Sequence, residues 1–244
     1  MDWSSTDWTA MDELYAPKRK VSRNKRSAFR NIVGKFHSHK MARIVEYESL
    51  GERMYYFYHE LDQKTVRYYV QPIRVPIFAG QDQPDDPQHT PDVLSFRNGY
   101  RPLLSQVKFD PDEVSKDFER KNRACERYAA EHGWEYRVVY PSTLPPELSR
   151  NLRFLKTYID VRSYYPELFP HLMHLMQYVE QTTTTRLARN FMDVPRVIPA
   201  IYHLIARGVF RVDVMQEIGP DTTIQLNECM SDFQLLEGWS LGAI

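Results

Sequence analysis

One stretch constrains this chain more than any other. DVLSF and PLLSQVKF (residues 92–109) are apolar runs on either side of Asn98-Gly99. Two such runs around a dipeptide that tolerates positive φ predict an antiparallel hairpin with a tight turn. Sheet burial accounts for the middles of the runs. It does not account for Asp92 at one end or Lys108 near the other, because charged side chains are seldom buried without a partner. Strand alternation puts Gln106 and Lys108 on one face. In such a hairpin Asp92 and Gln106 can face one another near the open end, away from the turn. A carboxylate, an amide oxygen and an ammonium are therefore expected to converge at one sheet edge.

The flanking segments supply the rest of a layered domain. Residues 47–62, YESLGERMYYFYHELD, read as a helix. Ser49 followed three residues later by Glu52 has capping-box spacing. Leu50, Met54, Phe57, Tyr58 and Leu61 then recur at helical intervals. Gly51 is costly inside a helix unless DNA or another backbone comes close. Residues 65–78 read as a strand broken at Pro72. Residues 110–133 read as a helix capped by Asp110 and stopped by Gly133, and 134–141 as a last strand. The order helix, three strands, helix, strand predicts an α/β fold. After PSTLPPE (141–147), helical periodicity covers 147–160, 166–181, 183–191 and 194–208. Two short strands around Gly219-Pro220 complete a mainly helical, winged-helix-like pattern, an arrangement that binds DNA in some proteins and only protein in others.

A chain of 244 residues with 42% apolar and 26% charged residues can bury a sizeable core, and no apolar run is long enough to span a bilayer. Two cysteines without metal-ligand spacing predict inert thiols in a reducing cytosol. The net charge of zero conceals a segregation. Residues 1–17 carry Asp2, Asp7, Asp12 and Glu13 and no base. From Lys18 to Arg43 there are only bases: Lys18, Arg19, Lys20, Arg23, Lys25, Arg26, Arg30, Lys35, Lys40 and Arg43. Such a segment suits a polyanion, nucleic acid first; a solubilising tail or an address signal has the same composition. No P-loop and no nucleophile elbow is present, so neither ATP hydrolysis by this chain nor serine hydrolase chemistry is expected.

Hard divalent cations take oxygen ligands and keep several waters. Asp92 offers a charged oxygen, and the Gln106 amide and the Val107 carbonyl offer neutral ones. Lys108 is then placed to orient a water and offset charge on a phosphate. The layout is that of the PD-(D/E)xK nucleases, with Pro91-Asp92 present literally and Q-x-K in the second motif. The spacing K-x-x-R-x-x-x-Y-E-S-x-x-E-R (Lys40 to Arg53), Gln71-Pro72, His89-Thr90-Pro91-Asp92 and Gln106-x-Lys108 together resemble the TnsA family. These are the endonuclease subunits of the heteromeric transposases of Tn-seven-type transposons. The resemblance runs from about Phe36 to Tyr140.

The resemblance implies a restriction-endonuclease-like mixed sheet with flanking helices in residues 36–141. A winged-helix-like partner-docking domain (142–244) would follow. The acidic, aromatic leader matches nothing in that family; with the basic tail (1–35) it reads as partly disordered chain, or as a docking peptide. The resemblance also implies Glu52, Asp92, Gln106 and Lys108 as catalytic residues, with Glu52, Asp92, Gln106 and Val107 holding Mg²⁺, for which Mn²⁺ substitutes. Glu48, one turn before Glu52, competes for that role. His89 reads either as a loop histidine, the preferred reading, or as a residue that orients a phosphate or a ligand. The implied reaction is metal-dependent hydrolysis at the 5′ ends of a transposon in the bacterial cytoplasm, as part of cut-and-paste DNA recombination. The implied partners are double-stranded transposon-end DNA, a TnsB-like transposase and a TnsC-like AAA+ regulator, with no membrane. The alternatives are a stand-alone restriction or repair nuclease and a catalytically silent DNA-binding adaptor. Neutralising Lys18, Arg19, Lys20, Arg23, Lys25, Arg26 and Arg30 should weaken DNA association. It should also flatten its log–log salt dependence by about 0.9 for each phosphate no longer neutralised. An unchanged slope would remove that segment from the interface.

Overall fold

The computed structural model describes residues 1–19, 32–77, 87–112 and 115–227. The described chain forms two compact units, one of Met1–His59 with Lys64–Thr143, the other of Glu60–Gln63 with the chain from Leu144. The first unit runs α1 (Thr9–Leu14), β1 (Gly34–Ser38), β2 (Arg43–Tyr47), α2 (Leu50–Leu61), β3 (Thr65–Val70), β4 (Val75–Pro76), β5 (Gln88–His89), β6 (Val93–Arg97), β7 (Leu103–Val107), α3 (Lys116–Glu131) and β8 (Glu135–Val139). A four-stranded mixed sheet ordered β3-β6-β7-β8 lies at its centre, antiparallel except for the parallel β7–β8 pair. The single parallel step follows from chain order, since α3 carries the chain back between β7 and β8.

Alternation divides the sheet into two faces. Val93, Ser105 and Tyr68 face α2, where the Tyr55 hydroxyl meets Ser105 Oγ at 3.0 Å and the His59 ring stacks on Tyr68. Leu94, Phe96, Leu104, Gln106 and Tyr69 turn the other way. There Tyr136 of β8 donates to Asn122 of α3 at 2.7 Å. Tyr55, Tyr56, Tyr68, Tyr69, Leu94 and Leu104 are fully buried between these layers. An added Cβ at Gly51 would meet Val107 Cγ1 at 3.5 Å, an ordinary contact, so the fold does not require glycine there. The same contact locates the first turn of α2 beside the end of β7.

Three local expectations are corrected. The Asn98-Gly99 connection is longer than a two-residue hairpin turn: β6 ends at Arg97 and β7 begins at Leu103. Tyr100 N–H closes a β-turn on the Arg97 carbonyl at 3.0 Å with only Gly99, at φ 87°, in the left-handed region. Asp110 does not cap α3. It holds a local turn through Asp112 N–H at 2.9 Å, and Ser115 caps the helix by accepting from Phe118 N–H at 3.1 Å. Gly133, at φ 70°, does stop it.

The third correction is the acidic leader, which packs where its composition suggests free chain. Trp3 and Trp8 pack edge-on against Phe96, and Tyr15 lies against Tyr69 and Trp134. Asp12 pairs with the Arg67 guanidinium and accepts from the Tyr69 hydroxyl at 2.8 Å. The Met1 carbonyl takes the Gly99 N–H at 2.7 Å. The leader covers an aromatic sheet face that nothing earlier in the sequence marks as exposed.

The second unit runs α4 (Pro146–Lys156), α5 (Tyr165–Met176), β9 (Thr182–Thr183), α6 (Thr184–Ala188), α7 (Val194–Ala206), β10 (Phe210–Arg211) and β11 (Thr223–Leu226). Its three strands form an antiparallel sheet ordered β10-β11-β9, of which β9 escapes the sequence reading. Asn151 on α4 is buried and ties down the β10–β11 connection. Its amide donates to the Val214 and Gln216 carbonyls at 2.8 and 2.7 Å and accepts from Ile218 N–H at 3.1 Å. Among the described residues no helix is long and apolar enough to cross a membrane.

Replacing Asp12 with Ala should strand the part-buried Arg67 guanidinium and cost about 1–3 kcal/mol. Urea unfolding and limited proteolysis check this. Unchanged stability together with an unchanged cleavage pattern in residues 1–15 would mean the leader contributes nothing to the unit.

Candidate active site

The site sits at the open end of the β6–β7 hairpin. The register Val93↔Ser105 puts Asp92 across from Gln106. Asp92 N–H donates to the Ser105 carbonyl at 3.0 Å, while its own carbonyl takes Gln71 N–H at 2.8 Å. Because β6 stops there, Val107 N–H has no strand partner on that side. The Asp92 carboxylate takes its place, Oδ2 accepting from Val107 N–H at 2.6 Å and from the Gln106 amide. Backbone N–H and C=O of a strand residue face the same neighbour, so the Val107 carbonyl turns to this side as well. The Gln106 oxygen is engaged from behind by His89 Nε2 at 2.7 Å.

Glu52 reaches the site from α2. It performs the capping-box role its spacing predicts: Glu52 N–H donates to Ser49 Oγ at 3.0 Å, and its carboxylate accepts from Glu48 N–H at 2.9 Å and Ser49 Oγ at 3.2 Å. Tyr56, one turn on, donates to Glu52 Oε2 at 3.3 Å. Glu52 and Asp92 are both buried, at 8% and 5% exposure, and neither forms an ion pair among the described residues. Burial, then the charge of Glu52, pushes the Asp92 carboxyl well above the usual carboxylate range. Burial also raises Glu52, opposed by the hydrogen bond from Glu48 N–H and reinforced by the Glu48 charge. Tyr56, wholly buried beside both, is held protonated by burial and by their charges.

The cations stand further out. Lys108 is half-buried, its Nζ 4.9 Å from the Phe118 ring centroid, and its charge opposes the upward shift of Asp92. Arg19 does the same from the leader's end, paired with Glu48 at 2.6 Å. With the Gln71 carboxamide turned end for end, its oxygen accepts from the Arg19 guanidinium at 3.1 Å and its nitrogen donates to the Arg19 carbonyl at 2.9 Å. Gln71 is held at φ 48° between Asp92 and Lys18, whose N–H it accepts at 2.9 Å. Glu48, the competitor of Glu52, is thus occupied by Arg19.

Of the other basic residues, Lys18 bonds the Leu14 carbonyl at 2.7 Å, and Lys40 donates to the Thr65 carbonyl at 2.6 Å. Lys20, Arg23, Lys25, Arg26 and Arg30 lie outside the described residues. The fold brings together Glu52, Asp92, Gln106, Val107 and Lys108, and adds His89, Tyr56 and Arg19. Tyr56 is legible in retrospect from its position four residues after Glu52 on one helix face. His89 stands in the His89-Thr90-Pro91-Asp92 motif, but it is not in a loop: it arrives on β5 through the pairing Val75↔His89.

Two buried carboxylates of like charge, an amide and a strand-end carbonyl form an all-oxygen donor set, which fits a hard divalent cation and leaves positions for water. Among the described residues no three His, Cys, Asp or Glu side chains cluster to form a metal cage. The set therefore depends on neutral oxygens and solvent, as Mg²⁺ sites usually do.

Raised carboxylates stabilise the fold when protonated. Their contribution is full below about pH 4 and is lost as pH rises through their folded-state values. In chelator, Asp92→Asn should therefore melt higher than the native chain, by about 2–4 °C per kcal/mol of burial penalty removed. The gap should open as pH rises above about 4. A lower midpoint at neutral pH would show that Asp92 is stabilised by its surroundings as a carboxylate.

No protein-family model matches this chain, and no curated protein is similar to it.

Proposed function

We propose that the first unit is a metal-dependent DNA endonuclease of the PD-(D/E)xK type. The observation that carries the reading is the buried pair Glu52 and Asp92, without an ion pair among the described residues, beside Gln106, with Lys108 just past the end of β7. The element order α2-β3-β6-β7-α3-β8, with β7 and β8 parallel, supports a restriction-endonuclease-like core. Glu52, Asp92, Gln106 and the Val107 carbonyl would hold Mg²⁺, with Mn²⁺ as a substitute. A divalent cation there supplies charge neutralisation and acidifies water. The chain's own contribution is rigidity. Asp92 is pinned by Val107 N–H and Glu52 by its cap, so neither has to be ordered when substrate arrives. Lys108 orients the attacking water and offsets charge on the phosphate.

The motifs shared with TnsA extend the proposal to hydrolysis at transposon 5′ ends, in the bacterial cytoplasm, alongside a TnsB-like transposase and a TnsC-like AAA+ regulator. Residues 18–43 would neutralise DNA phosphates without reading sequence, leaving end recognition to the transposase. The order α5-β9-α6-α7-β10-β11 supports a winged-helix-like second unit. The helix that would enter a DNA groove in such a unit is α7, and Val197 and Ala200–Ala206 are buried along it.

The native chain, transposon-end DNA, Mg²⁺ and the two partner proteins should give breaks at the 5′ ends. Asp92→Ala and Lys108→Ala should each reduce them by at least about 100-fold while leaving the circular dichroism spectrum intact. Breaks confined to the 3′ ends in every case would identify an adaptor. Cutting of plain duplex DNA without partners would identify a stand-alone nuclease.

A further inference from the structure

The Gln106 amide is held at both ends. Its nitrogen faces Asp92 Oδ2, and its oxygen accepts from His89 Nε2 at 2.7 Å. The orientation follows from Asp92, whose Oδ2 takes Val107 N–H at 2.6 Å and, in the ionised carboxylate, offers the amide an acceptor. Ligation of a cation beside Asp92 demands the reverse, because an amide offers a hard cation its oxygen and not its nitrogen. Gln106 must then exchange its ends by a half-turn of the carboxamide, which brings its NH₂ to His89. An imidazole suits both arrangements: Nε2 donates in one tautomer and accepts in the other. The ring is also well placed to wait there, half-buried on β5, whose backbone is fixed by Val75↔His89 pairing.

We propose that His89 is a positioning residue that holds Gln106 in both orientations, exchanging tautomers so that the amide oxygen can turn to a divalent cation at Asp92 and Glu52. This rests on the metal-site reading above and assigns to His89 the step that a glutamine, unlike a carboxylate, imposes on such a site. An amide whose oxygen is drawn on by a cation is the stronger N–H donor, so the contact with His89 tightens on binding.

The test is calorimetric titration of the full chain with Mn²⁺ at fixed pH, without DNA. The native chain should bind and Asp92→Ala should not. His89→Ala should weaken binding by about 10- to 100-fold. His89→Gln, which can also donate or accept, should remain within about threefold of native. In a Gln106→Glu background a carboxylate presents oxygen to both sides and nothing is exchanged. There His89→Ala should change affinity by less than about threefold. Equal losses in the two backgrounds would reduce His89 to a prop for β5 and overturn the proposal, as would no loss in either. Failure of His89→Gln to retain binding would overturn it too. Binding that ignores Asp92→Ala would instead overturn the metal-site reading, and this proposal with it.

Discussion

A carboxylate buried where a strand runs out organises this protein. Asp92 supplies the acceptor that β6 no longer provides for Val107 N–H, and in doing so closes the sheet at its open end. The same carboxylate fixes the Gln106 amide and, through its carbonyl, the unusual backbone of Gln71. Most strand ends are finished with water or a turn. Finishing one with a buried charge is costly, and a second carboxylate, Glu52, raises the cost. Fold and candidate chemistry therefore compete at one residue, as expected where a site is built for a partner of opposite charge.

Around that point the layers are arranged to hold the charge in place. The first turn of α2 lies against the end of β7, so the capping box that starts the helix also aims Glu52. Tyr56 extends the same face with a hydroxyl that stays protonated and donates. On the opposite side of the sheet the leader packs Trp3, Trp8 and Tyr15 over Phe96 and Tyr69 and ends at Arg19, beside Glu48 and Gln71. The segment that covers this aromatic face thereby also brings Arg19, the second base of the cationic run, to the mouth of the site.

Much of this was legible from residues alone. Two apolar runs about Asn98-Gly99 specify a hairpin with Asp92 and Gln106 near its open end. The register that sets them opposite each other comes with the longer Arg97–Leu103 connection, since a two-residue turn would pair Asp92 with Ser105. Ser49-x-x-Glu52 and Gly133 mark a helix start and a helix stop by local hydrogen bonding and left-handed backbone, and both occur as read. Where local rules compete, the reading slipped. Asp110 and Ser115 are both acceptable caps, and only packing of α3 on the sheet selects the second. The β1–β2 hairpin, with its polar alternation, carries no apolar stripe to announce it.

What the sequence determined by itself is therefore most of the local elements and the placing of Asp92 and Gln106 at the open end of one hairpin, because turn chemistry and strand period act over a few residues. What tertiary structure decided is everything that depends on who is adjacent across the layers. The leader is packed because Phe96 and Tyr69 offer an aromatic face; its composition alone reads as free chain. Glu52 rather than Glu48 lies buried with Asp92, since Arg19 takes Glu48. His89, which reads as a loop residue, becomes the partner of Gln106 through a two-residue strand pairing with β4. Such contacts join residues tens of positions apart, where burial and hydrogen-bond satisfaction across the packed layers choose the neighbours and no local periodicity records them.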